Sequence, residues 1–255
     1  MSTEALLRTT LDNGILRLRL NRPEKRNALN RAVVDELRRA VVDAASAEVD
    51  AIVIEGEGSV FCAGADLAYL EELAGYSIEE NVEDSRALAD ALLAVYRSPV
   101  PVIARVHGHA IAGGCGLATA CDVVVAVESA KFGYTEVGIG FIPAIVTALL
   151  LRKGPQMQTR ELLLTGRIIT ASEAHQRGLV TTVVPDLAEL DAEIDRICGR
   201  LRDVDRGAVR MTKEMLLQME EMTLDGGVEY GVRMNAIART REECREGIAR
   251  FLRKA

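Results

Sequence analysis

Residues 15–20, ILRLRL, alternate apolar and charged positions, so that Leu16, Leu18 and Leu20 share one face and Arg17 and Arg19 the other, the period of two expected of a half-buried strand. NRPEKRNALN, which follows, reads as a loop. From about Asn30 the apolar positions Val33, Leu37, Val41 and Ala44 form a single stripe and predict a helix, and AIVIEG at 51–56 predicts a short buried strand. A second cycle begins with a glycine-bearing loop at 56–66 and helical segments that carry a capping-box signature, Ser77 to Glu80, ended by Pro99 and Pro101. VIARVHG at 102–108 and DVVVAV at 122–127 predict strands, with GGCGLATAC at 113–121 a short helix between them.

Helices are expected at 143–153, 155–164 and 170–177, the last opened by a second capping box, Thr170 to Glu173, and closed by Gly178. LVTTVVP predicts a final strand. Beyond Asp186 the pattern is helical throughout, at 187–201, 207–219 and 228–252, with a break at Gly226-Gly227. Strands alternate with helices up to that point, so the fold class is α/β with an all-helical tail. No linker or low-complexity stretch intervenes. The expected organisation is one domain, with a core at 1–190 and a helical extension at 191–255.

Composition narrows the function classes. Thirty-one Lys and Arg against thirty-eight Asp and Glu leave a net charge of −7, which gives no general attraction to nucleic acid or an anionic membrane. Five cysteines without a CxxC pair are expected to be reduced thiols and not a disulfide framework or a zinc site. MSTEALLRTT holds no apolar run of signal-peptide type, and the uncharged stretch 137–151 is too short for a membrane span, so a cytoplasmic location is expected. His107, His109 and His175 have no metal-ligand spacing with acidic or thiol neighbours, and neither a GxGxxG, a GxxxxGK[ST] nor a GxSxG pattern occurs. No metal or cofactor is expected.

Two loops of small residues remain, FCAGADL at 61–67 and HAIAGGCGL at 109–117, each leaving a strand and entering a helix. Helix starts leave N–H groups unpaired, and glycine or alanine lets a ligand approach the backbone, so the two together suit an oxyanion hole, though each alone also reads as a tight turn.

The order of five segments resembles the crotonase superfamily, the enoyl-CoA hydratase/isomerase family: NRPEKRNALN at 21–30, FCAGADL at 61–67, HGHAIAGGCGLATACD at 107–122, KFGYTEVGIGFIP at 131–143 and TASEAHQRGLV at 170–180. The resemblance implies a crotonase (ClpP-like) core of repeated β-β-α turns that binds acyl-CoA, and a C-terminal helical region used in a homotrimer or a dimer of trimers. It also implies that the Ala65 and Gly113 amides hold the thioester oxygen, that Glu136 is the catalytic carboxylate, and that residues 63–68 (Ala63, Ala65, Asp66, Leu67, Ala68) line the pantetheine and thioester. Backbone around Lys25 and Ala28 would meet the adenine end. Arg22, Lys25 and Arg26 are the candidates for the CoA phosphates, and Lys254 for a contact across a subunit interface.

One departure bears on the reaction. The family's hydratases carry a second glutamate where this chain has Gly116, and syn addition of water is best served by two carboxylates. One carboxylate suffices to carry a proton between carbons 2 and 4 of a 3-enoyl thioester through a dienolate. Isomerisation is therefore the favoured expectation; hydration of an enoyl-CoA or methylglutaconyl-CoA-like substrate and decarboxylation of a branched acyl thioester are the alternatives. A glutamate at 116 is expected to raise hydration if room exists. Tyr134, Tyr69, Glu71 and His109 are candidates for a second polar group, each with packing or surface as its ordinary reading. A weakened acyl-CoA-binding or RNA-binding protein is the non-enzymatic alternative; the charge opposes RNA and Glu136 opposes a dead enzyme.

Overall fold

A computed structural model describes residues 5–253. An antiparallel hairpin, β1 (Leu7–Asp12) and β2 (Ile15–Leu20), is followed by a 3-10 turn at Pro23–Lys25, helix α1 (Arg31–Ser46) and strand β3 (Ala51–Gly56). Then come α2 (Leu67–Leu73), α3 (Ile78–Arg97), β4 (Val102–Val106), β5 (Ala110–Ile111), α4 (Gly113–Ala120), β6 (Val123–Val127) and β7 (Lys131–Gly133). A 3-10 turn at Glu136–Ile139 leads to α5 (Ala144–Lys153), α6 (Gln156–Thr165), β8 (Ile169–Thr170), α7 (Ala171–Gln176) and β9 (Thr182–Val184). Four helices close the chain: α8 (Leu187–Arg202), α9 (Arg206–Met219), α10 (Leu224–Thr240) and α11 (Glu242–Leu252).

The main sheet runs β1-β2-β3-β4-β6-β9, parallel except for β1, and a small second sheet runs β5-β7-β8. Alternation in β2 is realised as read: Leu16, Leu18 and Leu20 are buried, while Arg19 lies opposite Glu55 of β3 and pairs with it at 2.9 Å. Glu55 is only 2% exposed and is also approached by Arg17 at 3.8 Å and Arg105 at 3.7 Å. A carboxylate so deeply buried is tolerable only when compensated in this way. Asp191 and Asp195 of α8 complete the layer by pairing with Arg105 and Arg17.

α1 buries its predicted stripe, Val33, Leu37, Val41 and Ala44, and starts where Asn30 accepts the Val33 N–H at 3.1 Å. The Ser77–Glu80 capping box forms in both directions. At Thr170 only half of the predicted box forms, because the Glu173 carboxylate is drawn away to Arg167 and Arg177. β1 was silent to pattern since only Leu7 is buried there. Gly226-Gly227 is not a break: Thr223 accepts the Gly226 N–H and both glycines belong to the first turns of α10. The chain bends instead at Arg241, extended at φ −70 and ψ 141, whose guanidinium pairs with Asp205 at 2.6 Å and lies over Gly207.

Residue 190 falls inside α8, whose Leu190, Ile194 and Cys198 cover the sheet, so as a packing unit the helical extension begins after Asp203. α9 is bolted to the core by Lys213, whose buried ammonium donates to Asp122 at 2.6 Å and to the Val100 carbonyl at 3.1 Å. Asp122 in turn accepts the Val102 N–H at 2.7 Å. Five thiols are free; burial pushes those of Cys62, Cys115 and Cys121 up to about 12 and that of Cys198 to about 11, while Cys244 is partly exposed. Among the described residues no helix is long and apolar enough to cross a membrane.

Lys213→Met removes the charge-assisted bond to the solvent-touching Asp122, and a loss of about 1–2 kcal/mol in unfolding free energy is expected from urea denaturation. A loss within error of zero would mean that α9 is held by its apolar contacts alone.

Candidate functional site

β3 and β4 are parallel neighbours, and both run out at the carboxyl edge of the sheet, where open α/β folds bind ligands. The segments beyond them cross at close quarters. Cys62 N–H donates to the His109 carbonyl at 3.2 Å, and Ile111 N–H donates back to the Cys62 carbonyl at 3.0 Å. Glycine permits the crossing: a Cβ on Gly114 would stand 2.2 Å from the Cys62 carbonyl oxygen, and one on Gly108 would stand 2.2 Å from that of Ser59.

Within this crossing Ala65 and Gly113 come together, the ideal Cβ position of Gly113 lying 4.0 Å from the Ala65 nitrogen and 3.8 Å from the Gly64 Cα. Gly64 has φ +91, a left-handed conformation that costs glycine little, and it turns the chain so that Leu29 N–H reaches its carbonyl at 2.7 Å and Asp66 N–H reaches Leu29 at 2.9 Å. The N–H groups of Cys62, Ala63, Asp66, Ile111 and Ala112 around the crossing are thus occupied. Among the described residues neither the Ala65 N–H nor the Gly113 N–H has an acceptor. Gly113 is the first residue of α4, whose partial positive end adds to its N–H.

Glu136 opens the 3-10 turn that follows β7 and is half-buried. β7 is tied to the crossing because Ala112 N–H donates to the Gly133 carbonyl at 2.7 Å. The Glu136 charge is felt by Cys115, on the first turn of α4, and by Tyr134. Its Oε2 is buried with no hydrogen-bond partner among the described residues, and burial raises its pKa above the ordinary carboxylate range. A carboxylate held in this manner has the chemistry of a general base. Exposed apolar side chains follow directly: Val137, Ile139, Phe141 and Ile142.

The other predicted residues divide. Leu67 and Ala68 are exposed on the first turn of α2, and Ala63, half-exposed, uses its N–H on the Arg26 carbonyl. Asp66 is buried and caps α2 through the Ala68 N–H at 3.1 Å. Arg22 is not a free cation for a phosphate: it pairs with Asp66 at 2.7 Å and donates to the Ala28 carbonyl at 2.6 Å, both ends of the ion pair only 11% exposed. This clamp joins the 21–30 loop to the start of α2, and that pairing keeps the Asp66 carboxyl below its usual range. Ala28 is buried; Lys25 and Arg26 stay exposed on the turn. Lys254 lies outside the described residues.

Of the candidates for a second polar group, Tyr134 is fully buried and shares a 2.5 Å hydrogen bond with Thr119, Tyr69 bonds Asp84, and Glu71 and His109 are exposed. Position 116 has no room: a Cβ there would lie 2.2 Å from Val146 Cγ1 and 3.9 Å from Leu92 Cδ1. Val146 of α5 and Leu92 of α3, both buried, fill the space with hydrocarbon. Sequence reasoning missed this plug, as it missed the Arg22–Asp66 clamp; both join residues far apart in the chain and leave no local signal.

The parallel main sheet with its crossing loops, small second sheet and helical tail is a crotonase fold. The structure superimposes on a crystal structure of enoyl-CoA hydratase from Mycobacterium smegmatis with a TM-score of 0.94 and 34% identity, covering 98% of this chain and 97% of that one. The enoyl-CoA hydratase/isomerase family model matches residues 10–255, and the chain belongs to that family. A Thermus thermophilus relative with a provisional enoyl-CoA hydratase name is 40% identical over 92% of this chain and 93% of its own length. The 2,3-dehydroadipyl-CoA hydratase of Escherichia coli is 35% identical over 94% and 92%. The chain is thus an enzyme of the hydratase/isomerase type.

A raised carboxyl pKa makes the native state bind more protons than the unfolded chain between the unfolded and folded values, so Glu136 costs stability as pH rises through that window. Glu136→Gln removes the cost. The variant is expected to melt above the parent at pH 7.5, with the gap closing by about pH 4, where both states are protonated; equal melting temperatures at pH 7.5 would refute the burial.

Proposed function

We propose that the protein isomerises a 3-enoyl-CoA thioester to the 2-enoyl form. The substrate oxygen accepts from the Ala65 and Gly113 N–H groups, and Glu136 takes a proton from carbon 2. The electron pair left behind spreads over the dienolate onto the thioester oxygen, where each preorganised donor contributes roughly 3–4 kcal/mol. Return of the proton from Glu136 to carbon 4 completes the shift of the double bond and restores the carboxylate. No cofactor enters this scheme; the coenzyme A thioester is the substrate.

The observation that carries this reading over hydration is the plug at position 116. With Val146 and Leu92 packed where a second carboxylate would stand, Glu136 alone can move one proton between two carbons but has no carboxylate partner at 116 to hold a water. The apolar side chains after Glu136 suit an acyl chain, and exposed Lys25 and Arg26 suit the CoA phosphates. Self-association through the extension would cover Leu224, Val228, Val232, Ile248 and Phe251, which α10 and α11 leave exposed. Hydration of a 2-enoyl thioester is the second reading, favoured by the names of the E. coli and M. smegmatis relatives.

Incubation with matched 2-enoyl and 3-enoyl thioesters in deuterated water separates the two. Isomerisation yields 2-enoyl product from the 3-enoyl substrate, with any deuterium gained at the new saturated carbon at carbon 4, and Glu136→Gln lowers that rate by about 10³-fold while CoA-thioester binding is retained. Formation of 3-hydroxyacyl-CoA as the main product would overturn the proposal. Gly116→Glu alone is expected to lose about 1–3 kcal/mol of stability through overpacking without gaining hydration. Gly116→Glu with Val146→Ala makes the room and is expected to raise the ratio of hydrated to isomerised product, read by chromatography of the thioesters.

A further inference from the structure

Among the described non-glycine residues, four have positive φ, and three of them, Asn13, Arg26 and Asn27, have φ of 46 to 55 as ordinary left-handed turn residues do. Ala112 differs. Its φ of 48 is combined with a ψ of −122, the conformation of the first central residue of a type II′ turn, where glycine is the usual occupant. An alanine there stores about 1–3 kcal/mol of strain, which persists only where the surroundings enforce it.

The surroundings do so at both ends. Ala112 N–H is held by the Gly133 carbonyl at 2.7 Å, and its carbonyl accepts the Gly116 N–H at 3.0 Å. In a trans peptide the C=O and the following N–H point in opposite directions, so fixing the Ala112 carbonyl into α4 drives the Gly113 N–H outward from the helix. The strained ψ is what sets that plane. The methyl group acts at the same place: a Cβ on Gly64 would come within 2.9 Å of the Ala112 Cβ, which means that the Ala112 methyl is seated against the glycine preceding the Ala65 amide.

From this we infer that Ala112 is a positioning residue for the reaction, its enforced conformation aiming the Gly113 amide and its methyl spacing that amide from the Ala65 amide. It touches neither the substrate oxygen nor the moving proton; it acts through the two donors. The inference rests on the oxyanion role proposed above.

The test compares the parent, Ala112→Gly and Ala112→Ser using a conjugated aryl-acryloyl-CoA, whose absorption moves to the red when its carbonyl is polarised, together with 3-enoyl-CoA kinetics and melting temperatures. Glycine adopts the same backbone without strain and without the spacer. Ala112→Gly is expected to melt no lower than the parent, bind the thioester with similar affinity, lose most of the red shift, and show a kcat lower by about 10- to 100-fold, short of the 10²–10³ that deleting a donor outright costs. Ala112→Ser, which keeps a Cβ against Gly64, is expected to recover most of the shift and the rate. A parent without a red shift overturns the oxyanion reading and this inference with it. A parent that shifts while Ala112→Gly keeps both shift and kcat overturns the inference alone. Losses that follow a falling melting temperature also overturn it, since Ala112 would then be merely structural.

Discussion

Two peptide N–H groups without a protein acceptor, those of exposed Ala65 and half-buried Gly113, are brought together by backbone that is committed elsewhere. Most buried amides are paired, and each exception demands that the neighbouring backbone be committed elsewhere. Here the commitment is explicit: Cys62 bonds His109, Ile111 bonds Cys62, Asp66 bonds Leu29 and Ala112 bonds Gly133. The parallel sheet supplies the frame, because adjacent strands β3 and β4 deliver their loops to the same edge at strand spacing. Glycines at 64, 108 and 114 then let backbone meet backbone without a side chain between.

The carboxylate is placed by the same economy. Glu136 follows β7 of the second sheet, which is tied to the crossing by its pairing with β5 and by the Ala112 hydrogen bond, so the carboxylate and the amides share one frame and do not sit on independent loops. Leaving Oε2 unpaired in a half-buried place sacrifices stability at neutral pH, and under the proposed reaction that oxygen is the one that takes the proton. Position 116 illustrates the complementary device, a polar option removed by packing: Val146 and Leu92 close the space with dispersion contacts that a well-filled interior favours.

Much of this was legible along the chain, and the physical reason is range. Leu16, Leu18 and Leu20, the α1 stripe and the Ser77–Glu80 cap are encoded by residues within a few positions of one another, and they fold as read. The two small-residue loops were visible for the same cause. Strands β5 and β8, two residues each, exist only through partners distant in sequence, so periodicity had nothing to register. Gly226-Gly227 misled because glycine marks helix ends on average, whereas here Thr223 caps the helix ahead of it and Arg241, drawn to Asp205, supplies the real bend. Arg22 read as a loose loop cation until its partner, Asp66, came into view across the fold. Ala112 carried no signal at all, since nothing in an alanine marks a conformation that glycine usually occupies.

The distribution of thiols has a practical side. Four cysteines are sealed in the core with sulfurs reluctant to ionise, whereas Cys244 sits near the start of α11 within reach of solvent. A maleimide dye added under native conditions would therefore mark one place on the surface, remote in sequence from the amide crossing and from Glu136. The chain thus arrives with a built-in attachment point from which fluorescence could follow the motion or assembly of its last two helices, with no cysteine needing to be engineered away.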